Sequence, residues 1–107
     1  MDKKYNALKL NPNDNVAVAL KNLKSGELLS IQGEKDQIKV MEDISYGHKV
    51  ATSYIKNEGK IMKYGECMGI ATAEISPGFH VHVFNVRGLK NEERDHSFID
   101  HVDTFSS

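Results

Sequence analysis

Glycine punctuates this chain at positions 26, 33, 47, 59, 65, 69, 78 and 88, leaving only short apolar runs between. The runs read NVAVAL, LLSIQG, QIKVM, HKVA, KIMKYG, MGIATAEI and FHVHVFNV, and several alternate in polarity or are rich in β-branched residues. Such runs are long enough for strands and too short for amphipathic helices. The pattern predicts a mostly β chain of many short strands and tight turns. NLKSGE and ISPGF mark turns, and Pro77-Gly78 is the clearest, with Pro suited to the second turn position and Gly to a positive φ. No segment carries the periodicity of a major helix; one-turn helices are expected at 20–23, 53–57 and 73–76.

A short internal repeat reinforces this. VALKNLKSG (18–26), VATSYIKNE (50–58) and IATAEISPG (70–78) each hold an aliphatic residue, an alanine, and Leu or Ile four residues after the alanine. Glycine follows three residues later in the first and third. In the second, Glu58 takes that place and Gly59 comes one late, which makes Asn57 the candidate left-handed residue. The unit is too short for a solenoid and suggests a compact β-roll with internal pseudo-symmetry.

At 107 residues the chain fits one domain that buries roughly two-thirds of its unfolded surface. Lys and Arg number 14 against 15 Asp and Glu, a balance that argues against a nucleic-acid partner. One cysteine, Cys67, cannot form an internal disulfide, which suits a reducing compartment. The opening MDKKYNALKL lacks a signal-peptide core, and no apolar run approaches the ~20 residues of a membrane span. A soluble cytoplasmic domain with no membrane partner is expected. An exposed strand edge would let a second copy pair with it, so a homo-oligomer is compatible with the sequence.

From Gly88 the chain turns polar, and a frayed or partly helical tail is expected over 88–107. Its Asp95, His96, Asp100, His101 and Asp103 could attract a metal ion, with His96 and Asp100 at helical spacing; a solvated tail is the simpler reading.

The chemistry concentrates elsewhere. GFHVHVFN (78–85) places His80, His82 and Phe84 on one face of a strand. Such a pair can clamp a metal, hold a base, or form a polar outer face. His48-Lys49 follows Gly47 at a turn into a strand; His48 could move a proton near neutral pH and Lys49 could hold a carboxylate. The plainer alternative is a backbone-bonded histidine and a solvated lysine. Tyr64 could donate to a sugar oxygen and Glu66 act as a base, or both could belong to a turn in which Tyr64 packs on the core. Asp14-Asn15 reads as a turn or cap bonding local backbone. Cys67, beside Met68 and without a basic neighbour, reads as a small apolar filler.

Three segments taken in order resemble a known family. NDNVAVAL (13–20), GHKVA (47–51) and KYGECMGIATAEISPGFHVHVFN (63–85) are similar to the small SAF-type domain of the altronate/galactarate dehydratases. The resemblance covers about residues 8–87, leaving 1–7 as a lead-in. It implies a β-clip fold, and a domain that is either fused ahead of a large catalytic domain or made as a separate small subunit. The family often has histidine where Asn11 stands here, and closes with Val-His-x-His-Asn. His82 therefore matches the first motif histidine, Phe84 replaces the second, and His80 falls outside as a solvent-facing neighbour.

The resemblance implies a metal-dependent sugar-acid dehydratase, with iron or manganese in the assembled enzyme. It points to His48 and His82 as catalytic, and to Lys49, Tyr64 and Asn85 as substrate-binding. His82 would be a metal ligand shared with a large partner subunit, since Phe cannot ligate and Asn ligates transition metals poorly. This chain alone is expected to hold no metal tightly. Two alternatives stay open: a stand-alone SAF-type module that binds a sugar acid or a protein without catalysis, and the small subunit of a sulfolactate sulfo-lyase, of similar architecture.

Overall fold

The computed structural model describes residues 5–35 and 37–93. Seven short strands make up its regular structure: β1 (Ala7–Leu8), β2 (Val16–Ala19), β3 (Lys49–Ala51), β4 (Lys60–Lys63), β5 (Glu66–Ala71), β6 (His80–Val81) and β7 (Val86–Arg87). They form two antiparallel sheets, one ordered β1-β2-β3-β6 and the other β4-β5-β7. The fold is mostly β and of the β-clip type. Among the described residues the one helical segment is a 3-10 turn at Asn91–Glu93. Among the described residues no helix is long and apolar enough to cross a membrane.

The one-turn helices expected at 20–23, 53–57 and 73–76 do not form. Each of these segments instead runs through an arch that pairs with another arch. Leu23 and Ile44 exchange both backbone hydrogen bonds, at 2.7 and 2.9 Å, and Ile55 and Ile75 do the same at 2.8 Å each. A helical turn would spend these N–H groups locally and turn the aliphatic side chains out of the core. In the structure Leu23, Ile44, Ile55 and Ile75 are all buried.

The arches follow a two-fold pattern. The Gly26 N–H donates to the Val40 carbonyl and the Gly47 N–H to that of Ala19; the Glu58 N–H donates to Ala71 and the Gly78 N–H to Ala51. The donors all adopt positive φ, from 72° at Glu58 to 100° at Gly26. The left-handed residue of the second repeat is therefore Glu58, not Asn57. The register reveals a fourth arch, Val40-x-x-x-Ile44-x-x-Gly47, in which valine replaces the alanine of the other three.

The two pairs of arches build two cores. Ala19, Leu23, Val40 and Ile44 join Ala7, Ala17, Leu29, Ile31 and Val50 in one. Ala51, Ile55, Ala71 and Ile75 join Val16, Ile61 and Val81 in the other. β2 and β3 run between them: Ala17 and Val50 pair and face the first core, while Val16 and Ala51 pair and face the second. That position, buried on both faces, explains why β2 is apolar throughout, with two alanines, and why Val50 and Ala51 follow Lys49 in β3.

Asp14 and Asn15 bond distant backbone, contrary to the local turn or cap expected. The buried Asp14 carboxylate accepts from the N–H groups of Tyr64 (2.9 Å) and Gly65 (2.8 Å). Those two residues form the left-handed turn of the β4–β5 hairpin, with φ of 60° and 74°. Asn15 donates to the Lys60 carbonyl at 2.8 Å and accepts from the Met62 N–H at 2.8 Å. Adjacent residues at the start of β2 thus fasten the hairpin to the first sheet.

Candidate functional site

The pairing of β3 with β6 positions the site. Val50 lies opposite His80 and Lys49 opposite Val81. Continued by one residue, this register sets His48 across from His82. Alternation then puts His48, His80 and His82 on one face. His48 is held on its backbone: its N–H donates to Ser45 (3.0 Å) and its carbonyl accepts from Ala19 (2.8 Å).

The three imidazoles stack. His48 and His82 have ring centroids 3.9 Å apart and planes 11° from parallel, as a directly opposed pair should. The diagonal pair His48 and His80 lies at 5.0 Å, and His80 and His82 at 5.3 Å. His48 Nδ1 is 2.8 Å from His80 Nε2, a hydrogen bond in which one ring nitrogen donates and the other accepts. One ring nitrogen from each of the three lies within 4.8 Å of the others. His80, which the sequence placed facing solvent outside the motif, is half-buried and central to the cluster. The alternation of GFHVHVFN was the signal for it.

The surroundings are cationic. Burial first, then the neighbouring His48, His82 and Lys49, holds His80 below its ordinary pKa, against an opposing pull from Glu42. Burial, His48 and Lys49 act in the same direction on His82. Lys49 is half-buried, and desolvation with the nearby Lys63 lowers its pKa. Neutral imidazoles keep a lone pair for an ion or a proton, and the two ammonium groups offer an anion a positive field.

The other candidates have different surroundings. Tyr64 is exposed at the hairpin tip, with the Lys63 ammonium 5.0 Å from its ring centre. Glu66 is exposed and Cys67 half-buried. Asn85 spends its amide on backbone, accepting from the His82 N–H at 2.9 Å and donating to the His80 carbonyl at 2.8 Å. It closes the turn that carries both histidines. Phe84 meets His80 edge-on at 5.1 Å. The Asn11 amide oxygen accepts from the Asn13 N–H at 2.9 Å, in a local turn. Asp95, His96, Asp100, His101 and Asp103 lie outside the described residues.

Comparison with known proteins agrees with this architecture. The family model for the altronate/galactarate dehydratase SAF domain matches residues 5–89. The chain belongs to this family. Over 80 residues this SAF domain is 41% identical to an altronate dehydratase of Bacillus subtilis and 38% identical to one of Escherichia coli. The matched segment is 75% of this chain and 16% of each relative, so the SAF domain corresponds to a small part of those enzymes.

Proposed function

We propose that this chain is the small component of an altronate-dehydratase-like hydro-lyase acting on hexonic or aldaric acids, contributing to a site that a large catalytic component completes. The observation that carries the reading is the stacking of His48 on His82 at one end of the β3–β6 pair, with the charge of Lys49, on the opposite face of β3, acting on His82, in a chain whose relatives are altronate dehydratases. Such a reaction removes the proton α to a carboxylate and expels a β-hydroxyl. Lys49 supplies a positive charge to hold the carboxylate, in a partly desolvated setting that strengthens the attraction. His48 and His82, on facing strands, are placed to move a proton between substrate and solvent. Tyr64, next to Lys63, is offered to a sugar hydroxyl.

A divalent ion, iron or manganese, would supply charge stabilisation to the enediolate in the assembled enzyme. The imidazole donors fit iron better than manganese, which favours oxygen ligands. A cytoplasmic location accompanies this reading.

The test is reconstitution. The chain is expressed with a large-domain partner of the family, supplied with ferrous or manganous ion, and assayed on altronate, galactarate and sulfolactate. Activity should require both components and fall at least tenfold in His48→Ala and His82→Ala. A complex whose activity survives both substitutions would reduce the domain to a scaffold. A second reading, a binding module without chemistry, draws on Asn11 and Phe84 standing where the family often has histidine. Calorimetric titration of the chain alone with altronate or galactarate separates the two, because tight binding favours the module. Turnover of sulfolactate alone would instead indicate the sulfo-lyase.

A further inference from the structure

The strand register brings three imidazoles together within one chain, and this goes beyond a single histidine lent to a partner's site. We propose that His48, His80 and His82 by themselves bind one divalent transition-metal ion on a three-nitrogen face. The geometry carries the proposal. One nitrogen of each ring lies within 4.8 Å of the others, and the closest pair is at 2.8 Å. Metal–imidazole bonds of about 2.0–2.1 Å place ligand nitrogens roughly 3 Å apart, so the nitrogens stand near ligand spacing and closing the set requires the rings to rotate out of their stack.

The backbone under these rings is already fixed. The His80 N–H donates to Glu42 Oε2 at 2.9 Å, and Asn85 ties the His82 N–H to the His80 carbonyl. The β3 side is anchored through Ser45 and Ala19. Ligands held on rigid strands and braced by neighbouring hydrogen bonds lose little freedom on binding. Phe84 packs on the edge of His80 and supplies no donor, so three protein ligands leave coordination positions open for water or a substrate oxygen.

Imidazole donors select borderline ions such as Co2+, Ni2+, Zn2+ and Fe2+ over Mg2+ and Ca2+. The ion would occupy the end of the β3–β6 pair where the three rings meet.

The experiment uses the full chain with no substrate and no large component. Apo protein is titrated with Co2+, followed by calorimetry and visible absorption, and with Zn2+, followed by the imidazole NMR signals. One equivalent should bind and persist in excess Mg2+, and Zn2+ should shift the ring resonances of His48, His80 and His82. His80→Ala and His82→Ala should each weaken Co2+ binding by at least ~10–100-fold, a range that even outer-shell changes reach. The double variant His96→Ala/His101→Ala should bind as the parent does. Absence of saturable binding would overturn the proposal. So would Zn2+ shifts confined to His96 and His101 in the unmodified chain, an outcome that does not depend on any variant folding. Metal binding is read here without turnover, so its failure and that of the dehydratase reading are distinguishable.

Discussion

His48 Nδ1 and His80 Nε2, 32 residues apart in the chain, lie 2.8 Å from each other. The contact exists because β3 and β6 are antiparallel neighbours in one register. A shift by one residue would turn His80 to the opposite face and replace it with Val81 or Phe79. The cluster is therefore a direct readout of strand pairing, and its properties can be tested piece by piece.

Phe84 stands edge-on to His80 with centroids 5.1 Å apart. Phe84→His would add a fourth imidazole. Co2+ affinity should rise by about tenfold or more, and the visible spectrum should change as a ligand is added. An unchanged spectrum would show that position 84 does not face the ion.

Asn85 is a positioning residue, since its amide bonds the backbone of His80 and His82. Asn85→Ala should cost about 1–3 kcal/mol in denaturant unfolding through the lost hydrogen bonds. It should also weaken Co2+ binding by about tenfold, as outer-shell changes do. Asn85→Asp keeps the acceptor for the His82 N–H and should restore part of the affinity. A purely structural role would lower stability and leave affinity untouched.

Asp14 is 5% exposed and receives two backbone N–H groups at the β4–β5 turn. Asp14→Ala leaves both donors without an acceptor and should destabilise the fold by about 3 kcal/mol or more. Chemical denaturation would read this as a lowered midpoint.

Glu58 and Gly78 hold equivalent places in the second pair of arches, with φ of 72° and 91°. A left-handed conformation costs a residue with a Cβ about 1–2 kcal/mol. Glu58→Gly should stabilise by about 0.5–1 kcal/mol once the added chain entropy of glycine is counted. The exposed Glu58–Arg87 pair, 3.7 Å apart, contributes little against this. Gly78→Ala should destabilise by more than the conformational cost alone, because its Cβ would collide with the Lys39 carbonyl oxygen. Thermal melts of both variants should move in opposite directions.

Arg87 grips Glu93 through two nitrogens, at 2.8 and 2.7 Å. The Arg87 hydrogen bonds, with that from the Lys90 N–H, hold the Glu93 carboxyl down at about 2. A depressed acid favours folding above its unfolded pKa, and that contribution disappears as pH falls through the folded value. The stability it contributes should therefore decline from about pH 4 downward, and the clasp itself should open around pH 2. An NMR titration of the Glu93 side chain would follow it; an ordinary midpoint near 4.3 would refute the clasp.

Much of the fold was legible before the structure. Short apolar runs between glycines announced short strands, and the alanine-plus-four spacing announced a repeated unit with internal pseudo-symmetry. The fourth arch was hidden because Val40 fills the alanine position, and a size change in one buried residue breaks a pattern read by identity. Expected helical turns became paired bridges because the aliphatic residues of one arch find their hydrogen-bond partners in another, which no local pattern displays. His48 and His82 were legible as reactive types. His80 was set aside because a motif comparison aligns residues along the chain and says nothing of what faces them from another strand.

The sequence by itself determined that the strands would be short, where turns fall and the polarity of each run, because glycine, proline and side-chain alternation act over a few residues. Only the tertiary structure decided that His48 would meet His80 and His82, and that Asp14 and Asn15 would reach a hairpin 45 to 51 residues away. Those contacts follow from the one register that buries Ala17 with Val50 and Val16 with Ala51 between two cores. That burial is a property of the whole chain, and it sets where the polar residues at the strand ends must go.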